Sequence, residues 1–177
     1  MQEPTHLNVF DFDDTLFRTP NYTVSEAVGV EPYDWFDSPE SLHGKFSVRG
    51  IANTIARTFD PQAVSMLVTH RVEDCRDEVL KILYDNQIEL TEVHFLGRGS
   101  TKASCVLKAI EGTAIETVTI FEDTLWELLS YALAFDEAKI SQEVDFVFVD
   151  KSKIINISWS KALELARSVQ VEKLKLA

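Results

Sequence analysis

Short apolar runs alternate along this chain with longer segments in which apolar side chains recur every three or four positions. Leu7 to Phe10 is one such run, halted by an acidic cluster, and Ala63 to Val68 is another, halted by Thr69-His70-Arg71. Runs of this length, apolar at successive positions, fit strands buried on both faces. Glu92 to Leu96, Thr117 to Phe121 and Val144 to Val149 read as three more, the last rich in β-branched and aromatic residues. Between the second and third runs, Val72, Cys75, Val79, Ile82 and Leu83 keep helical spacing, and between the third and fourth Ala103, Val106, Leu107 and Ile110 repeat it. Ser100 or Thr101 stands where that second helix needs an N-cap, and Gly112 where it must end. Leu125, Leu128, Leu129, Ala132 and Leu133 make a third stripe, and Trp159, Leu163, Ala166 and Val169 a fourth.

Strand and helix in alternation predict an α/β fold of three layers, Rossmann-like, with a mostly parallel five-stranded sheet and helices on both faces. In such sheets ligands bind beyond the carboxyl ends of the strands, so the polar residues there are the candidates for chemistry. Residues 17 to 62 break the alternation. They hold four of the five prolines and several aromatics but no long helical stripe, which predicts a short lid inserted into a single domain spanning 1 to 177.

Composition narrows the partners. At 177 residues and 45% hydrophobic content the chain can bury one sizeable core. Seventeen Lys and Arg against 29 Asp and Glu give a formal charge of -12, which excludes an extended nucleic-acid binding surface and a broad face for anionic membranes. An anionic substrate must therefore be held locally. No stretch reaches the ~18 apolar residues of a membrane span and no secretory pattern is present, so the expectation is a cytoplasmic protein without a membrane partner. Cys75 and Cys105 lack metal-ligand spacing and occupy apolar helix positions, which predicts buried thiols.

In Val9-Phe10-Asp11-Phe12-Asp13-Asp14-Thr15-Leu16, carboxylates two apart on an extended segment point the same way and repel each other. At the end of a buried strand that cluster needs a neutralising cation, and hard Mg²⁺ prefers carboxylate and carbonyl oxygens.

Asp11-Phe12-Asp13-Asp14-Thr15, following a hydrophobic strand, resembles the Asp-x-Asp-x-Thr signature of the haloacid dehalogenase (HAD) superfamily, and three later strand ends resemble its remaining motifs. The resemblance runs from residue 7 to residue 150 and implies the HAD fold and a Mg²⁺-dependent phosphatase. Asp11 matches the nucleophile that becomes an aspartyl-phosphate. Asp13 matches the acid that protonates the leaving oxygen and later activates water. Dehalogenase members lack this second acid, so Asp13 favours phosphoryl transfer. Thr69 matches the hydroxyl that hydrogen-bonds phosphate. Lys102, with Lys108 as the fallback, matches the lysine that offsets the charge of nucleophile and phosphate. Asp123 matches the acid that binds Mg²⁺ together with Asp11 and the Asp13 carbonyl, with Glu122 and Glu127 reaching the ion through water. Arg71 stands where phage polynucleotide kinase-phosphatases carry the arginine of a Thr/Ser-Gly-Arg motif, whose fork grips phosphate oxygens, and His70 replaces the glycine.

Phe17-Arg18-Thr19-Pro20, Trp35 to Leu42, and Ile120-Phe121-Glu122-Asp123 further resemble the Swiss-Army-knife RNA-repair-like group. The lid at residues 17 to 62 is too short for a large separate cap domain, which leaves the site open to a bulky phosphate ester. The expected substrate is therefore a polynucleotide end phosphate, with a mononucleotide next and a small metabolite third. Arg18, Arg98, Lys45 and Arg49 are candidates to contact it, and Trp35 and Phe36 to stack a base. Three other readings compete. A receiver domain needs an Asp ending its third strand, and here that strand ends in Leu96. A non-catalytic phosphate-binding module is disfavoured by the presence of both Asp11 and Asp13. A phosphotransferase shares the aspartyl-phosphate and stays open.

Overall fold

The computed structural model describes residues 4–20, 22–43, 48–151 and 153–175. All five expected strands form, as β1 (His6–Phe10), β4 (Ala63–Thr69), β5 (Glu92–Phe95), β6 (Thr117–Glu122) and β7 (Glu143–Asp150). A sixth, β8 (Lys153–Ser158), corrects the expected count: it pairs antiparallel with β7, from Asp150↔Lys153 to Asp145↔Ser158. Lys153, Asn156 and Ser158 interrupt its isoleucines, as suits an edge strand with one open side, and this obscures the apolar run that marks a buried strand. The sheet runs β5-β4-β1-β6-β7-β8, with every other pairing parallel.

The helical stripes form α4 (Arg76–Asp85), α5 (Lys102–Ile110), α6 (Leu125–Ala138) and α7 (Trp159–Lys175). Thr101 caps α5 by accepting from the Ser104 amide at 3.2 Å. Gly112, at φ +70°, takes the left-handed conformation that lets the chain leave the helix. Val72 falls outside α4, which is entered through a 3₁₀ turn at Glu73–Cys75.

Strand alternation sends odd-numbered residues of β1 to one face and even-numbered ones to the other. Leu7 and Val9 join Met66, Val118, Ile120 and Phe146 beneath α5, α6 and α7. Phe10 joins Leu67, Phe121 and Val147 beneath α4 and the segment linking β1 to β4. That segment contains a two-stranded ribbon, β2 (Phe17–Arg18) and β3 (Arg49–Gly50), and three short helices, α1 (Tyr22–Val28), α2 (Pro32–Phe36) and α3 (Ala52–Thr58), with a 3₁₀ turn at Pro39–Leu42. Cys75 is buried as expected, whereas Cys105 is only half-buried. No described helix is long and apolar enough to cross a membrane.

Candidate active site

Because β1 is central, with β4 and β6 on either side, residues that follow these three strands converge at one end of the sheet. Asp11 extends the β1–β6 ladder by one rung, its amide donating to the Phe121 carbonyl at 3.0 Å. Just beyond it the chain reverses tightly. Asp14 adopts φ 54° and donates to the Phe17 carbonyl at 2.7 Å, a conformation that Asp tolerates better than a branched residue would. The cavity at this end has a volume of about 640 Å³ and is lined by Asp11, Asp13, Thr69, Arg71, Lys102, Glu122 and Asp123, among others.

One side of the site is built on the scaffold. Lys102, the first residue of α5, is 3% exposed, and its ammonium donates to Asp11 Oδ1 at 2.7 Å and Glu122 Oε2 at 2.6 Å. Lys108, the fallback, lies on the exposed side of the same helix. Burial pushes the Asp11 carboxyl up to about 7 despite the pull of Lys102, and Glu122 rises to about 7 for the same reason. Burial, reinforced by the charge of Asp11, lifts Asp123 to about 6. Burial opposes the charge on Lys102, but the two carboxylates outweigh it and hold the ammonium well above its usual value. Carboxylate oxygens of Asp11, Glu122 and Asp123 lie within 4.8 Å of one another. Three crowded acids against one ammonium leave negative charge unbalanced, so the donor set fits a hard divalent cation.

The other side is built on the β1–β4 insertion. Arg71 is 2% exposed, and its fork faces Asp13: Nη2 donates to Oδ1 at 2.7 Å and Nε to Oδ2 at 3.0 Å. Nη1 donates to the Phe36 carbonyl at 2.9 Å and to Ser41 Oγ at 2.8 Å. The grip expected on a phosphate is thus a grip on Asp13 and the insertion. Thr19 adds a third donor to Asp13 Oδ1, at 2.6 Å. The Asp13 carboxylate, held by Arg71 and Thr19, lies outside the Asp11–Glu122–Asp123 cluster. Thr69 is fully buried at the end of β4, where its hydroxyl oxygen accepts from the Arg71 amide at 3.2 Å and keeps its proton to donate.

At the rim, His70 is paired rather than free: Nδ1 meets the Gly97 carbonyl at 3.0 Å and Nε2 approaches Glu127 at 3.4 Å. The hydrogen bond to Glu127 raises the imidazole above its usual value and lowers the carboxyl. Glu127, expected to reach a metal through water, pairs with His70 and lines the same cavity as Asp11 and Asp123. Arg98 reaches across to the insertion, 2.8 Å from Asp37 and 5.0 Å above the Tyr33 ring. Arg18 lies elsewhere, donating to the Lys151 carbonyl and lining a separate groove beside the β7–β8 turn. Arg49 lines a third groove with Leu42 and His43. Lys45 lies outside the described residues. Trp35, expected to stack a base, is 4% exposed and belongs to the packing of the insertion; Tyr33 and Phe36 line the cavity instead.

A doubly wound sheet with this strand order and its acids at the central strand end has the fold of a HAD domain. The chain is similar in structure to the HAD domain of the effector protein Lem4 from Legionella pneumophila, with 14% identity over 93% of this chain and 94% of that one, and a TM-score of 0.53. No protein-family model and no curated protein sequence matches the chain. At that level of identity the likeness shows the fold, and the argument for chemistry rests on the side chains.

Proposed function

We propose that the protein is a Mg²⁺-dependent phosphomonoester hydrolase that works through an aspartyl-phosphate on Asp11. The observation that carries this reading is Asp11 at the end of the central strand, held by the Lys102 ammonium at 2.7 Å and crowded by Glu122 and Asp123. Burial that keeps the Asp11 carboxyl near neutral pH in proton affinity also keeps it poorly solvated, and a desolvated carboxylate is a stronger nucleophile. A divalent cation would be held by Asp11, Asp123 and the Asp13 carbonyl, with Glu122 reaching it through water, and would supply charge neutralisation at the phosphoryl group.

In the first step Asp13 enters as the carboxylic acid, its proton taken from solvent. An Asp11 oxygen bonds to phosphorus, the bond from phosphorus to the ester oxygen breaks, and that oxygen takes the Asp13 proton, leaving the carboxylate to Arg71 and Thr19. In the second, water gives its proton to Asp13 as its oxygen bonds to phosphorus, and the bond to Asp11 breaks to release inorganic phosphate. Thr69 donates its hydroxyl proton to a phosphoryl oxygen and Lys102 offsets the accumulating charge, which is where most of the acceleration of such a reaction has to come from. For the substrate we favour a nucleotide or the terminal nucleotide of a polynucleotide. A cavity of about 640 Å³ with the rings of Tyr33 and Phe36 on its wall accommodates one planar group, and the formal charge of -12 disfavours a long nucleic-acid track.

The test is phosphate release from p-nitrophenyl phosphate, mononucleotides and oligonucleotides bearing 3′- or 5′-phosphates, with Mg²⁺ or EDTA, for wild type and Asp11→Asn. Asp11→Asn is expected to lose on the order of 10⁴-fold or more in kcat while remaining folded by circular dichroism. Release that persists in Asp11→Asn, or that ignores EDTA, would sink the mechanism.

A further inference from the structure

Arg71 sits where a phosphate-gripping arginine is expected, yet its hydrogen bonds run between two other parts of the protein. Two acceptors of the insertion, the Phe36 carbonyl and Ser41 Oγ, hold Nη1 at 2.9 and 2.8 Å. The rigid guanidinium plane then dictates where Nε and Nη2 point, and both point at Asp13. The Phe12 and Phe36 rings lie 5.9 and 5.5 Å from its central carbon and further restrict its tilt. With the Thr19 hydroxyl bonded to the same Oδ1, the Asp13 carboxylate is left one orientation.

We propose that Arg71 is a positioning residue that ties the β1–β4 insertion to Asp13, acting on the reaction through that acid and not as a ligand of the phosphoryl group. The catalytic part of this rests on the acid–base role given to Asp13 above. Its physical content is a single rigid link: a shift of the Phe36–Ser41 stretch rotates the guanidinium, and the rotation moves the Asp13 carboxylate. Lysine cannot substitute, because one ammonium cannot span two acceptors on the insertion and a carboxylate on the opposite side.

The experiment uses the full chain with Mg²⁺, p-nitrophenyl phosphate as substrate and inorganic phosphate as competitive inhibitor. The p-nitrophenyl ester has a leaving group that departs unprotonated, so the first step no longer needs Asp13 as an acid. Asp13→Asn, which also lacks the base of the second step, is therefore read by its first-turnover release of p-nitrophenolate. Arg71→Lys is expected to lower kcat by ~10- to 100-fold while KM and the inhibition constant of phosphate move by less than ~3-fold. Added to Asp13→Asn it should cost less than a further ~3-fold, because the residue it positions has already been removed. Ser41→Ala, which deletes one acceptor and leaves Arg71 in place, should give the same pattern at a few-fold and serves if Arg71→Lys fails to fold. Independently of turnover, hydrogen exchange at the amides of residues 38–43 should quicken in both Arg71→Lys and Asp13→Asn and stay unchanged in Lys108→Ala. A phosphate inhibition constant raised ~10-fold, with losses that multiply in the double variant, would make Arg71 a phosphate ligand and overturn the proposal. Unchanged exchange at residues 38–43 in Arg71→Lys would overturn it as well. A wild type inactive on every ester would instead remove the acid–base reading, and the exchange data would still decide whether the tie exists.

Discussion

Two buried cations flank the acidic end of β1, and they are set up in opposite ways. Lys102 is delivered by the first turn of a capped helix to two carboxylates that themselves end adjacent strands, so each member of that trio is placed by the sheet. Arg71 joins Asp13 to a main-chain carbonyl and a serine in an insertion of short helices and turns. The scaffold half concentrates charge where it is hardest to solvate, and the insertion half distributes it over a segment of short helices and turns. The first half is thus suited to stabilising a phosphoryl group, and the second to adjusting an acid.

The sharpest way to break this contrast is to remove the scaffold cation. Lys102→Met leaves Asp11 and Glu122 buried without their partner, and losing one member of a buried ion pair costs about 3–5 kcal/mol. Urea denaturation of the metal-free protein at pH 8 should show a loss of that size, and saturating Mg²⁺ should restore part of it. Lys108→Met, on the exposed side of α5, should change stability by less than ~0.5 kcal/mol. Equal effects of the two substitutions would mean that the Lys102 trio is not the electrostatic centre of the fold.

Next in size is the coupling between pH and metal. Asp11 and Glu122 are pushed up to about 7 and Asp123 to about 6, from ordinary values of 3.8, 4.5 and 3.8. Raised folded-state values mean that the folded protein takes up protons more readily than the unfolded chain between about pH 4 and pH 7. Without metal, this contribution to stability is fully present below the ordinary values and is lost as pH rises through 6 to 7. On the proposed reading Mg²⁺ would bind the ionised acids, so its effect should have the opposite slope. At ~100 times its dissociation constant it should add about 2.7 kcal/mol at pH 8 and close to nothing at pH 5, read as the shift in thermal midpoint with and without MgCl₂. A shift of the same size at both pH values would sink the assignment of the three acids as the cation site.

What could be read in advance follows the same division. β1, β4 and β6 announce themselves as apolar runs, and Asp11, Thr69 and Asp123 stand directly after them or one residue beyond, so fold and scaffold half were legible together. Lys102 was legible through the resemblance, which places a lysine near the start of this helix, and Thr101 is the residue that caps it. The insertion half was not. Arg71 was assigned to phosphate through the Thr/Ser-Gly-Arg resemblance; its partners in the insertion are a main-chain carbonyl and a serine, 35 and 30 positions away, and neither carries a sequence signature. Trp35 is buried, with Tyr33 on the cavity wall, for a similar reason. In a five-residue helix the choice of which aromatic faces inward depends on the angle at which the helix meets the sheet, and no period in so short a segment reveals it. In the sequence Arg18 and Arg49 read as substrate contacts because they fall in the expected lid, whereas both lie on the β2–β3 ribbon and neither lines the cavity.

The smallest effect concerns the rim, where the two halves also touch. Arg98 comes from the loop before α5 and meets Asp37 and Tyr33 of the insertion, so it joins the same two bodies as Arg71 does. It does so in solvent: its side chain is 64% exposed, against 2% for Arg71. Exposed ion pairs contribute at most about 1 kcal/mol and are screened by salt, and a cation stacked on an exposed ring adds an amount of similar order. Arg98→Gln should therefore lower stability by less than ~1 kcal/mol, and the difference from wild type should shrink further in concentrated NaCl. Hydrogen exchange at residues 38–43 should stay near the wild-type rate, because Phe36 and Ser41 remain held from beneath. Should Arg98→Gln release those amides as fully as Arg71→Lys does, the insertion would be fastened at its rim, and the buried arginine would lose its claim to be the link between the two halves.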